Sequence, residues 1–117
     1  MANAYVNGFY TPTQANTPET VFTCPNETTT IFQTLQLVNV SGSKNVSVFI
    51  LDFSTGALNR IAYVEFGGPL ITNVFKGSIV MEEKDVLKIE TSNTSGITGT
   101  TAALETTRIY IPQGGAS

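Results

Sequence analysis

The stretch Thr20–Asp52, TVFTCPNETTTIFQTLQLVNVSGSKNVSVFILD, decides how this chain folds. It reads as a short strand, a Pro-Asn turn, a long strand, a Gly-Ser loop and a further strand. Val21, Phe22 and Thr23 make the first strand, closed by Cys24-Pro25-Asn26-Glu27. Thr29 to Val40 follows, with Ile31, Leu35 and Leu37 on one parity and predicted to face a core. Thr34 and Gln36 fall on the other parity, and Gln33 breaks the alternation. After the turn Ser41-Gly42-Ser43, Val46, Val48 and Ile50 alternate with Ser47, Phe49 and Leu51. Phe49 and Leu51 make the second face apolar as well, which predicts cover by another sheet, an arm or a subunit.

Outward from this stretch the signals stay β. Asp52–Gly56 is a turn of Asp, Ser and Gly type. Leu58 to Phe66 reads as a strand with Ile61, Tyr63 and Val64 as its apolar members, ended by the breaker Gly67-Gly68-Pro69. Leu70 to Phe75 crosses back, Lys76-Gly77 turns, and Ser78 to Met81 forms a short strand. A charged turn, Glu82-Glu83-Lys84-Asp85, leads into Val86 to Glu90, which sets Leu87 and Ile89 against Val86 and Lys88. Asn93 to Thr101 reads as a long polar loop and Ala102 to Ile111 as the last strand, closed by Pro112 and Gly114-Gly115. Before Thr20, Asn7, Gly8, Pro12 and Asn16 punctuate Tyr5, Val6, Phe9 and Tyr10, so residues 1–17 read as an N-terminal arm on a domain spanning 18–117. About eight short strands without a helical period predict an all-β fold, a single antiparallel β-sandwich of jelly-roll or immunoglobulin-like type.

Composition narrows the function classes. A chain of 117 residues makes one domain, burying roughly 65% of its unfolded surface, enough for a core without metals or disulfides. Charged residues are 13% of the chain, about half the usual share. Threonine, serine and asparagine take their place, which fits either an ordinary Thr-rich β protein or a surface that meets a partner. The net charge of −3 and the scattering of Lys44, Arg60, Lys76, Lys84, Lys88 and Arg108 argue against nucleic acid. No apolar run reaches the roughly 18 residues of a membrane span. The start has neither a basic segment nor an apolar run, so the expectation is a protein made in a cytoplasm and unglycosylated. Sequons at Asn26, Asn39, Asn45 and Asn93 arise readily in so Asn- and Thr-rich a chain. The single Cys24 reads as a small buried hydrophobe.

No catalytic constellation stands out, and no cofactor is implied. With no histidine, the commonest base for a nucleophile is missing. Glu82, Glu83 and Asp85 lack the alternating ligand spacing of a calcium loop and read as a solvated turn. Asp52 and Glu65 would make a carboxylate pair only if the fold brought them together. Gly67-Gly68 lacks the lysine and helix of a phosphate loop. The aromatic residues include no tryptophan, and most fall at strand positions suited to a core rather than to sugar stacking.

One pattern carries a resemblance. Phe22-Thr23-Cys24-Pro25 with Thr28-Thr29-Thr30, then Leu35 to Asn39, then Val46 to Asp52, is similar to small virion proteins of tailed bacteriophages. Gly77 to Glu82 followed by Lys84 to Ile89 continues it as a strand, an acidic turn and a returning strand. The likeness spans Thr20 to Thr91. It departs at Gly67-Gly68-Pro69, where a Pro-Ala-Gly turn is more usual, and in the arm. It implies a structural part of a virion more than it implies which part. The first expectation is a capsid decoration (cement) protein on the head surface, a homo-oligomer (a cyclic trimer being the natural form) that clamps neighbouring subunits of the major capsid protein. Its contacts with capsid or partner would then come from Tyr5, Val6, Phe9 and Tyr10 of the arm and from Phe49 and Leu51. The alternative is a tail or fibre module that binds a host-surface glycan or another tail protein.

Overall fold

The computed structural model describes residues 2–75 and 77–107. Lys76 of the expected turn, the expected strand end at Ile111 and the breakers after it lie outside them. Among the described residues nine strands form two antiparallel sheets: β1 (Ala2–Tyr10), β2 (Glu19–Thr23), β3 (Thr28–Asn39), β4 (Lys44–Leu51), β5 (Leu58–Phe66), β6 (Leu70–Asn73), β7 (Ile79–Met81), β8 (Val86–Thr91) and β9 (Ile97–Thr107). Sheet 1 runs β1-β9-β3-β6, with β7 also paired to β3; sheet 2 runs β2-β8-β4-β5.

The pairings nest. β1 pairs β9, β2 pairs β8, β3 pairs β6 and β7, and β4 pairs β5, all antiparallel. Successive pairs along this folded ribbon alternate between the two sheets, which is the jelly-roll form of the sandwich. β6 and β7 occupy the two halves of one position, since β6 lies against Gln36–Asn39 and β7 against Thr30–Phe32.

The core lies between the sheets. Phe32, Leu35, Leu37 and Met81 of sheet 1 meet Val46, Val48, Leu87 and Ile89 of sheet 2. Phe32 stands edge-on to Phe22 at 5.3 Å and to Phe75 at 6.2 Å between ring centres. Burying each such side chain stabilises the fold by roughly 1.5–3 kcal/mol.

Three expectations change. Ile31 does not face the core: a bulge between Phe32 and Thr34 shifts the parity, so Thr30 and Phe32 point inward before it and Leu35 and Leu37 after it. The expected loop Asn93–Thr101 is largely strand, because β9 begins at Ile97 and buries Ile97 and Thr101. Residues 2–10, expected in an arm, form β1 in unbroken register with β9. Gly8 belongs to that strand by close approach, since a Cβ there would lie 2.6 Å from Thr101 Oγ1. The sequon at Asn39 lies in the interior, where the side chain is buried.

One glycine fixes the tip where β3 and β9 diverge. Gly96 has φ +72°, and a Cβ on it would lie 2.9 Å from Ser41 Oγ and 3.1 Å from Val40 Cγ2. Its carbonyl accepts the Val40 N–H at 2.8 Å. Gly96→Ala is therefore expected to cost about 2 kcal/mol, or about 10 °C in Tm, read by thermal unfolding in circular dichroism.

Candidate docking face

The two sheets differ in where their charges sit. Sheet 2 carries six charged residues on its strands: Glu19, Lys44, Arg60, Glu65, Lys88 and Glu90. Among the described residues sheet 1 carries one, Glu105. Its register sets Glu105 opposite Ala4 and the fully buried Thr30, so it belongs to the inward parity. Among the described residues the outward parity of sheet 1 is thus free of charge.

What that face presents instead is apolar and aromatic, set among uncharged polar groups. Tyr5 and Phe9 of β1 are 82% and 75% exposed, and Ile71 of β6 and Val80 of β7 are 61% and 54% exposed. Ile31, Val38 and Leu104 lie half-buried between them. Asn7, Gln36, Thr98 and Thr100 complete it. Four strand positions of ~4.8 Å width and 11 residues of β9 at ~3.3 Å give a face of about 700 Å² in plan. A standard interface takes about 800 Å² from each partner, and its centre is depleted of charge and enriched in aromatics. The face has both the size and the composition of an interface centre.

Of the six residues singled out from sequence, Tyr5 and Phe9 stand on this face. Val6 and Tyr10 have the opposite parity on β1: Val6 packs against the core and Tyr10 is part of it. Phe49 lies on the outer side of sheet 2 and is buried, because the Arg60 guanidinium lies over its ring at 5.7 Å and over Tyr63 at 5.4 Å. Leu51 is half-buried. The second apolar face of β4 is thus covered in part from within the chain. Sequence reasoning missed Ile71 and Val80 as exposed, and only the pairing of β6 and β7 with the outward parity of β3 identifies them.

The polar clusters hold turns together. Asp85 accepts from the N–H groups of Phe53 and Glu82, and Asp52 accepts from the N–H and hydroxyl of Ser54, which lowers its pKa. These turns line a cleft of about 510 Å³ with Glu82, Glu83 and Lys84. Among the described residues no group of three His, Cys, Asp or Glu side chains could hold a metal ion. Asp52 and Glu65 do not converge. Glu65 pairs with Asn45 and Asp52 follows Leu51, which sets them roughly 20 Å apart along the hairpin. Cys24 is buried in the core, its thiol pKa raised by burial, and its Sγ donates to the Thr28 carbonyl at 3.2 Å.

Tyr10 is the exception to a satisfied interior. Its hydroxyl is buried without a hydrogen-bond partner among the described residues. Burial first, then the nearby carboxylates of Glu19 and Glu90, push its pKa well above the ordinary value near 10. The folded state therefore holds this proton more tightly than the unfolded chain. The associated stability is complete below pH ~10 and is lost as pH rises above it. Tyr10→Phe removes the orphaned hydroxyl, so it is expected to be neutral or stabilising by up to about 1 kcal/mol at pH 7. It is also expected to flatten the loss of stability above pH 10, read by urea unfolding between pH 7 and 11.

No model of a known protein family matches the chain, and no curated protein matches it.

Proposed function

We propose that this chain is a structural protein of a tailed-phage particle: a decoration (cement) protein that lies on the head shell and stabilises it by contacting neighbouring subunits of the major capsid protein. The observation that supports this reading is the outer face of sheet 1, free of charge among the described residues, with Tyr5, Phe9, Ile71 and Val80 exposed on it. A monomer in water gains nothing from such a face, whereas a protein seated on a shell buries it. The jelly-roll order of the strands is compatible with this role, as is the resemblance of the turn pattern to small virion proteins.

The test is the copy number of the protein in purified virions, measured by quantitative mass spectrometry against the major capsid protein. A count comparable with the shell subunit is expected. A sparse count would move the protein to the tail, where the alternative, a module recognising a host-surface glycan, would be tested on a glycan array. Absence from the particle would overturn the virion reading altogether.

A further inference from the structure

The four sheet edges are not equally protected. Strands at an edge expose backbone N–H and C=O groups, and soluble proteins guard them with charge, proline, bulges or short length. The far edge of sheet 1 is divided between β6, of four residues, and β7, of three. In sheet 2, β2 is five residues long, begins at Glu19 and is bulged between Thr20 and Phe22. β5 carries Arg60 and Glu65, and its ladder with β4 shifts between Val48 and Phe49.

β1 has none of these devices. It runs for nine residues, ANAYVNGFY, without charge, proline or bulge, and only one of its sides is paired, to β9, among the described residues. The open side is a template for another strand.

We propose that this strand is β1 of a second copy, paired antiparallel about a twofold axis at Asn7. The sequence of β1 is what selects a copy of itself. Tyr5 and Phe9 stand two positions either side of Asn7 and share its outward parity. With Asn7 on the axis, Tyr5 of each copy lies opposite Phe9 of the other, so two aromatic cross-strand pairs form on one face. Val6 on the axis would oppose Tyr5 to Asn7 and lose both pairs. Because β1 is uncharged, a second copy brings no like charge to the seam. The pairing is isologous and closes on itself, giving a dimer rather than a fibre or the cyclic trimer expected from the decoration role. It also joins two charge-free outer faces into one surface, and it holds whether or not a shell is what that surface meets.

The full-length protein is expected to sediment as a reversible dimer at tens of micromolar. Asn7→Lys places an ammonium group at the axis in both copies and should weaken the dimer at least tenfold, with the folded spectrum unchanged. Asn7→Cys should form a disulfide-linked dimer under mild oxidation. Tyr5→Cys should not, since its two copies would lie roughly 14 Å apart, beyond disulfide reach. A protein that stays monomeric at hundreds of micromolar would overturn the proposal. So would a dimer that survives Asn7→Lys, or cross-linking no faster at position 7 than at position 5. Should the lysine variant fail to fold, the two cysteine variants decide the question alone.

Discussion

Replacing Asn39 by leucine is expected to destabilise the protein by about 4 kcal/mol, enough to remove a large part of the stability of a domain this size. Asn39 ends β3 and is buried at 2% exposure. Its amide nitrogen donates to the carbonyls of Gly42 and Gly68, both at 2.9 Å, and its Oδ1 accepts from Lys44 Nζ at 2.6 Å. Lys44 opens β4, is 3% exposed, and donates also to the Ser41 carbonyl at 2.5 Å. These partners are neutral, so among the described residues the ammonium group depends on oriented dipoles rather than on a counter-ion. Leucine would remove three hydrogen bonds at once and leave a buried charge with one acceptor. Each stripped polar group costs about 1–3 kcal/mol, and a charge costs more.

The same geometry makes the loss depend on the charge. Lys44→Met alone is expected to cost about 2 kcal/mol, because it leaves Asn39 Oδ1 without its donor but buries no ion. In the double variant the leucine no longer strands an ammonium group. The combined loss should therefore fall at least ~1.5 kcal/mol short of the sum. Denaturant unfolding of the four proteins measures this directly. Additivity within about 0.5 kcal/mol would mean that the two side chains act independently and that the ammonium group finds water when Asn39 is gone.

This network also marks where the sequence stops being legible. Asn39 and Lys44 flank Ser41-Gly42-Ser43 and look like ordinary turn residues; nothing in their spacing says that they fold inward. The strands that bury large apolar residues at alternate positions are readable, as β4 and β8 are, from Val46, Val48, Ile50, Leu87 and Ile89. β9 is not, because its inward positions Gly99, Thr101 and Ala103 are small or polar. Gly99 is small of necessity: a Cβ there would meet Leu37 at 3.1 Å and Tyr10 at 3.4 Å. β1 fails for a related reason, Gly8 looking like a breaker when it is a point of close contact. In β3 the clue was present. Gln33 interrupts the alternation because the bulge lies there, and only the register tells that Phe32 rather than Ile31 faces the core. The uncharged face was half legible. Tyr5 and Phe9 stand out in the chain, but the absence of charge belongs to a surface assembled from five strands distant in sequence.

If that surface is what binds the shell, placing charge on it should abolish binding without disturbing the fold. Thr100 on β9 and Ile71 on β6 are both exposed, face outward and flank β3 on either side. Lysine at both positions would bring two charges onto the uncharged face, one on the inner strand β9 and one at its β6 edge. Each would lose hydration unless its stem let the ammonium group reach the rim, so roughly 2 kcal/mol apiece is a fair expectation. Together these amount to about 4 kcal/mol, or about a thousandfold in affinity. The variants should unfold within about 0.5 kcal/mol of the parent, as exposed substitutions usually do. Asn45→Lys, on the exposed outer side of sheet 2, serves as the control and should bind as the parent does. Deleting residues 1–17 is a poorer test, because it removes β1 and uncovers the edge of β9 along with Tyr5 and Phe9. Co-sedimentation with shells stripped of the protein gives the readout. Binding lost with the lysine pair and kept with Asn45→Lys assigns the contact to sheet 1. The opposite result would place it on sheet 2, and undiminished binding by both would mean that the shell is held by loops, with the uncharged face left to the protein's own second copy.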